Sequence, residues 1–467
     1  MDIRKVLFGI FSISLLIGCS SEYTKKLINY DHERASLIIT DVAIFNGKDN
    51  MIIKSQDVII ENGKILNIID HQPTRNLTNY TEIKGNGKTL MPGMIDAHVH
   101  LSGSGSVPWE SVSVDEAYNL SAYLYVGVTT VYDLGGLAGD LEKLANKVAN
   151  DEIIGPSIYH THIPITVKDG HPIPLTKEIL PWPLKSMVNA ISPTIDNPND
   201  APKLIENYTQ KEVDYVKVIY DQIPPGAPEM RYGQLEAIIN ASHEKGYKVF
   251  VHIGSPQNAI DAAKAGADVL AHGVWRGQLT PEQADTIASF NIPMIYTLTA
   301  FQNVNQISEG HYQPNNLDTT LVPQKVLNPV TKEHGLDIIQ KPAMYGFFTD
   351  VHSHSKYMIP NFKLLKERGI TIIVGTDSSL PGTYAGATFI QEIFELSKNG
   401  ISNFDILSGA TYLSSKLFLD NPDFGTVEIG KTANLLLLDR NPLITLETLK
   451  TPNTIILKGQ LIRRNTQ

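Results

Sequence analysis

The chain has 467 residues, 42% of them hydrophobic and 19% charged, an ordinary globular composition with room for one large domain and a smaller one. Its 39 Lys and Arg stand against 49 Asp and Glu, a formal net charge of −10. That balance argues against a nucleic-acid partner, which needs a basic surface. It leaves the substrate open, because a bound cation creates its own local field.

The first residues read as a targeting segment. Arg4 and Lys5 precede an apolar run over 6–17, too short to cross a bilayer and suited to a signal. Leu16-Ile17-Gly18-Cys19 closes the run, and Cys19 is the only cysteine, so no intrachain disulfide forms. Residues 1–18 resemble a bacterial lipoprotein signal. That implies lipidation of Cys19 and a place in the bacterial cell envelope, anchored on the periplasmic or outer-membrane face, where two or more acyl chains hold stably. A plain secretory signal with a stray cysteine is the competing reading. Residues 19–35 are polar and read as a tether.

Residues 36–90 read as short strands. The run Leu37-Ile38-Ile39-Thr40-Asp41-Val42-Ala43-Ile44-Phe45 ends in Asn46-Gly47, and a second Asn-Gly, Asn62-Gly63, sits between two further strands. The chain end repeats the style, with an apolar run over 434–439 and Thr454-Ile455-Ile456-Leu457. Segments 36–90 and 415–467 therefore predict one composite β domain.

Residues 91–414 alternate short apolar runs with helical stretches, the pattern of a parallel α/β fold. Eight candidate strands centre on Ile95, Val131, Ile158, Val216, Phe250, Leu270, Met294 and Ile373. Amphipathic segments at 232–245, 257–265 and 281–289 lie between them. Eight strands with helices fit a (β/α)8 TIM barrel. A doubly wound sheet is the alternative, but no phosphate loop or Gly-x-Gly-x-x-Gly turn supports it. Insertions at 163–203, rich in proline, and 298–354, long and polar, each follow a strand, so both are expected on the active face.

The strongest chemical signal is Pro92-Gly93-Met94-Ile95-Asp96-Ala97-His98-Val99-His100. Positions i and i+2 of a strand face the same side, so His98 and His100 can hold one cation. A lone His-x-His is weak, and His160/His162 and His352/His354 are expected decoys, the latter in a polar loop. Lys217 lies inside Asp214-Tyr215-Val216-Lys217-Val218-Ile219-Tyr220, facing inward if Val216 and Val218 face helices. Either its stem snorkels to solvent or a neutral amine takes up carbon dioxide as a carbamate able to bridge two metals. His252 and His272 end successive apolar strands, which favours ligation over a structural role for each. Asp377 ends the last strand, as a metal ligand and proton acceptor or as a loop cap.

This order resembles the amidohydrolase superfamily of binuclear type, and within it imidazolonepropionase-related enzymes and zinc-dependent, prolidase-like dipeptidases. The resemblance spans about 36–460, with Leu37-Ile38-Ile39-Thr40-Asp41 at one edge and Asn434-Leu435-Leu436-Leu437-Leu438 at the other, Asn434 standing where many members have Asp. It implies a TIM barrel with a β-sandwich built from both chain ends. It also implies two divalent metal ions, zinc foremost: His98, His100 and Asp377 on the more buried one, His252 and His272 on the more exposed one, and carboxylated Lys217 bridging them beside a hydroxide. The implied reaction is cleavage of an amide C–N bond in a small molecule or dipeptide, with Asp377 as general base and then acid. Asp169-Gly170-His171-Pro172 looks like the family's Gly-Gly-His element, which makes His171 a substrate and catalytic contact, with Asp169 in place of the first glycine. Tyr220 is a second candidate for the mouth of the site. Two competing functions are a mononuclear deaminase or cyclic-imidate hydrolase, which would dispense with Lys217, and a non-enzymatic surface lipoprotein, which would be expected to have lost ligands.

Overall fold

The structure is a computed structural model that describes residues 26–30, 36–75, 78–110, 112–136, 141–331, 336 and 339–465. The expected signal over 1–18 and Cys19 lie outside the described residues.

The two chain ends interleave. Strands β1 (Ile28–Tyr30), β2 (Leu37–Ile44), β3 (Ile53–Glu61), β4 (Lys64–Asp70), β5 (Thr81–Lys84) and β6 (Thr89–Pro92) join three strands from the far end of the chain. Together they form one nine-stranded hydrogen-bonded sheet, in which the C-terminal run Leu435–Leu438 lies antiparallel to β6. The stretch expected to be a tether supplies β1, paired with Gln460–Arg464. Its three residues are too few to reveal a period, so only the partner strand marks them.

The eight strand centres all fall in or at the edge of parallel strands. These are β7 (Met94–Val99), β8 (Val128–Asp133), β9 (Ser157–His160), β10 (Val216–Ile219), β11 (Val249–His252), β12 (Val269–Ala271), β13 (Met294–Ile295) and β14 (Ile372–Ile373). They run as β7-β8-β9 and β10-β11-β12-β13-β14. Isolated parallel bridges, Ile165 to Val218 and Val99 to Ser378, connect the two groups at both edges. The expected helices appear as Tyr232–Glu244, Pro256–Ala265 and Pro281–Ser289. The last two open with Pro in the first turn and a Ser255 or Thr280 cap, so each start is set by its own side chains.

The C-terminal strands are β15 (Leu435–Leu438), β16 (Thr454–Leu457) and β17 (Gln460–Arg464). Alternation in β15 serves two cores: Leu435 and Leu437 pack into the nine-stranded sheet, Leu436 and Leu438 into the main core. The chain passes from β6 to β7 at Pro92-Gly93, where a Cβ on Gly93 would meet the Thr129 side chain at 2.2 Å.

The insertions correct one expectation. Residues 298–354 are largely helical, in Leu298–Ser308, Asn316–Leu321, Gln324–Thr331 and Pro342–His354. His352 and His354 therefore sit on a helix and not in a polar loop. Its buried residues Met344, Phe347, Phe348 and Val351 have helical spacing, in a short apolar stripe that Gly346 interrupts. The proline-rich insertion holds Ile173–Ile179 and Leu184–Ile191. Glu178 joins the two insertions by accepting from the backbone N–H groups of Ala343 at 2.7 Å and Met344 at 2.9 Å.

Candidate metal centre

His98 and His100 lie at the end of β7 and Asp377 four residues beyond β14. Asp377 Oδ1 is 3.2 Å from His98 Nε2 and 3.0 Å from His100 Nε2, and the three donor atoms lie within 4.8 Å of one another. Two carboxylates brace this trio. Asp96 accepts from the Thr376 hydroxyl at 2.7 Å and the Thr376 N–H at 3.1 Å, tying β7 to the segment after β14 that carries Asp377. Asp133 accepts from the N–H groups of Leu101 and Gly135, both at 2.8 Å, and His100 Nδ1 bonds to the Gly135 carbonyl. That bond leaves His100 Nε2 free as a ligand atom.

The second pair stands beside it. His252 Nδ1 and His272 Nε2 are 3.1 Å apart, and the His98 and His272 ring centroids are 4.8 Å apart. The outward nitrogens of this pair are taken: His272 Nδ1 lies 2.9 Å from the Thr297 hydroxyl and His252 Nε2 lies 3.3 Å from Asp221 Oδ2. Nδ1 of His252 and Nε2 of His272 therefore face each other as the available donors. His272 and Asp377 both hold left-handed backbone, at φ 75° and 55°, a local strain of about 1–3 kcal/mol each of the kind that collects at functional sites.

Lys217 is 1% exposed, and its Nζ has no hydrogen-bond partner among the described residues. Burial pulls its amine down to about 7, against a smaller opposing pull from Asp377. Burial also lowers His98 to about 3 and holds His252 and His272 well below the ordinary histidine range. Burial pushes Asp377 up, but the surrounding histidines outweigh it and keep the carboxyl well below its usual range. His100 differs: burial lowers it, but its bond to Asp377 and the nearby carboxylates outweigh that and raise it above the ordinary histidine value. The centre thus presents three neutral imidazoles in His98, His252 and His272, an ionised carboxylate and an amine that shares proton and free forms near neutrality, and a cation would displace the proton that Asp377 favours on His100. An orphaned buried amine among these donors fits a cation site better than a packed core, where it would carry an uncompensated desolvation cost.

His171 joins the cluster from the proline-rich insertion, its ring centroid 5.3 Å from that of His252. It follows Asp169, whose φ of 59° is the left-handed backbone a glycine would adopt. Lys177 at 2.6 Å and Asn189 at 2.9 Å bond the Asp169 carboxylate, so this residue keeps the turn and adds an anchor.

Tyr220 is a correction. Its hydroxyl donates to Asp261 on the helix Pro256–Ala265 at 3.1 Å. Counting in twos from Lys217 explains this: 219 and 221 share its side, while 220 faces the helices with Val216 and Val218. Ligand exposure does not divide the two sets: the His98 and His272 side chains are 1% and 2% exposed, Asp377 7%, His252 9% and His100 30%. The decoys stay apart from the centre. His354 pairs with Asp350 at 3.0 Å, His352 lies 3.0 Å from Asn305 Oδ1, and His160 and His162, at the end of β9 and just past it, have ring centroids 6.1 Å apart. Sequence reading passed over Asp221, Arg276 and Thr297. Strand parity alone marks Asp221; nothing local marks the other two.

Comparison with known proteins gives a consistent picture. Residues 89–462 match the amidohydrolase family. An imidazolonepropionase from Thermoanaerobacter pseudethanolicus is 23% identical over 402 residues, covering 83% of this chain and 84% of that protein. Among solved structures, a Xaa-Pro dipeptidase with bound methionine has a TM-score of 0.74 at 19% identity, covering 91% of this chain and 99% of its own. Molinate hydrolase has a TM-score of 0.74 at 15% identity, with 93% and 95% covered.

Proposed function

Because the chain belongs to the amidohydrolase family, we propose that it is a metal-dependent hydrolase that cleaves an amide C–N bond of a small molecule or dipeptide. The observation that carries this reading is the meeting of His98, His100 and Asp377 with the facing His252 and His272 around the unpartnered amine of Lys217. In the same reading, the parallel strands close into a TIM barrel and the nine-stranded sheet is its β-sandwich companion, supported by the bridges at Val218 and Val99.

His98, His100 and Asp377 would hold one divalent cation, His252 and His272 a second, and carboxylated Lys217 both, with zinc the first choice for nitrogen-rich donors. Cations held there supply Lewis acidity that activates water and polarises a carbonyl. The chain's own residues do the rest. The Asp377 carboxylate, ionised in its histidine surroundings, accepts a proton from the attacking water and returns it to the departing amine nitrogen. His171, lowered to about 4 chiefly by burial, is neutral and so placed to orient the substrate carbonyl. The insertions limit water at the second pair. In the same proposal a lipid on Cys19 anchors the enzyme at the cell envelope; Cys19→Ala should abolish incorporation of labelled fatty acid into the protein.

Chelator-stripped enzyme should regain hydrolysis of dipeptides or N-acyl amino acids on addition of Zn2+, with two equivalents bound. Turnover that survives full metal removal would refute the proposal. A single-metal reaction on a cyclic amide is the second reading, favoured by the self-contained His98, His100 and Asp377 trio. Full activity of Lys217→Ala with one metal would select it.

A further inference from the structure

Asp221 has no part in the reaction described above, yet it is fully buried one residue beyond Tyr220. Ile219 pairs with His252 across β10 and β11, so position 221 comes to lie beside the histidine ring. One carboxylate oxygen is 3.3 Å from His252 Nε2. The other accepts from the Arg276 guanidinium and from the Gln222 N–H at 2.8 Å. Space for this carboxylate is made at Gly254, where a Cβ would lie 2.4 Å from Asp221 Oδ2.

Arg276 is itself held on three sides. Its N–H donates to the Gly254 carbonyl at 2.9 Å, its guanidinium lies 4.4 Å from the Trp275 ring centroid, and its Nε donates to Asp350 at 2.8 Å. Asp350 belongs to the insertion helix Pro342–His354 and borders a cleft of about 740 Å³ that Pro174, Pro224, Pro228 and Tyr345 also line. A chain of charged contacts thus runs from the cleft to a candidate ligand: Asp350, Arg276, Asp221, His252.

We propose that Asp221, Arg276 and Asp350 are positioning residues through which the insertion helix sets the ring of His252 and thereby governs binding of the second cation. The inference rests on the two-metal reading above. Its physical basis is that a histidine donating Nε2–H to a carboxylate keeps Nδ1 free of a proton and aimed in one direction. Here that direction is toward His272 Nε2. Fold stability alone gives little reason for the chain, because buried ion pairs stabilise about as well as apolar residues of equal volume. Arg276 cancels part of the charge of Asp221, and Asp350 in turn stops the guanidinium from turning away.

The test is a calorimetric titration of chelator-stripped enzyme with Zn2+ in bicarbonate buffer, on wild type, Asp350→Asn and Asp350→Glu. In Asp350→Asn the second equivalent should weaken about 10–100-fold, with the first unchanged. Asp350→Glu should recover most of the loss. If Asp350→Asn does not fold, Arg276→Lys takes its place, with a weakened second equivalent again expected. Wild-type affinity for both equivalents in the folded variant would overturn the relay alone. A wild type that binds only one equivalent would instead bring down the two-metal reading and the relay with it.

Discussion

Lys217 shows how one residue's environment decides its chemistry. In water an amine is charged near neutrality; inside the strands burial brings it to about 7 and leaves its Nζ without a partner. Lys217→Ala should therefore lower kcat/KM by about 1000-fold or more, the rate equivalent of several kcal/mol, and reduce bound Zn2+ from two equivalents to one. Metal analysis together with steady-state kinetics checks both. Asp96 acts differently, through hydrogen bonds to Thr376 that tie β7 to the segment bearing Asp377. Asp96→Asn replaces an acceptor by a donor at the Thr376 N–H or hydroxyl. It should cost about 1–3 kcal/mol in a urea melt, because a buried polar group loses its partner.

Between elements, the buried Glu392 on the helix Ala387–Lys398 caps the helix Leu298–Ser308. It accepts from the N–H groups of Leu298 at 2.9 Å and Thr299 at 2.8 Å. Burial pushes its carboxyl from 4.5 up to about 7, against smaller opposing pulls from those hydrogen bonds. The unfolded chain releases this proton near 4.5 and the folded chain keeps it to about 7, so this group's contribution to stability is full below 4.5 and falls as pH rises through that window. Between about pH 4 and about pH 8 the wild type should lose on the order of 3 kcal/mol relative to Glu392→Gln, whose side chain does not titrate. Denaturant melts at the two pH values measure the difference, and parallel pH profiles would refute it. Glu178 makes an analogous connection between the two insertions. Glu178→Ala should cost about 0.5–2 kcal/mol, as loss of a helix cap does, and speed proteolysis of the segment 173–191.

Across the whole molecule, β15 joins two cores by presenting alternate leucines to each. Leu435→Ala and Leu436→Ala should each cost about 2–5 kcal/mol and lower the same calorimetric transition. Two transitions, each moved by one variant only, would mean that the sheet and the parallel strands unfold independently. The sequence determined the elements by itself wherever a pattern repeated within a few residues: the eight strand centres, the capped helices and the positions of His98, His100, His252 and His272 at or within one residue of a strand end, whereas Asp377, read as ending the last strand, lies four residues past it. Period-two alternation also placed Lys217 inward, and the same rule, carried two and four residues further, would have found Ile219 and Asp221 on that side. By the same parity Tyr220 falls on the helix side, where its hydroxyl meets Asp261. The helix Pro342–His354 is hard to read because its apolar stripe is short and holds Pro342 and Gly346, which count against a helix. Only the tertiary structure decided which residues became partners. His272 meets Thr297, Arg276 meets Asp221 and Asp350, and Glu178 meets a helix more than 160 positions away. Such pairings depend on how strands register and helices pack across long separations, and no local period in the chain encodes that.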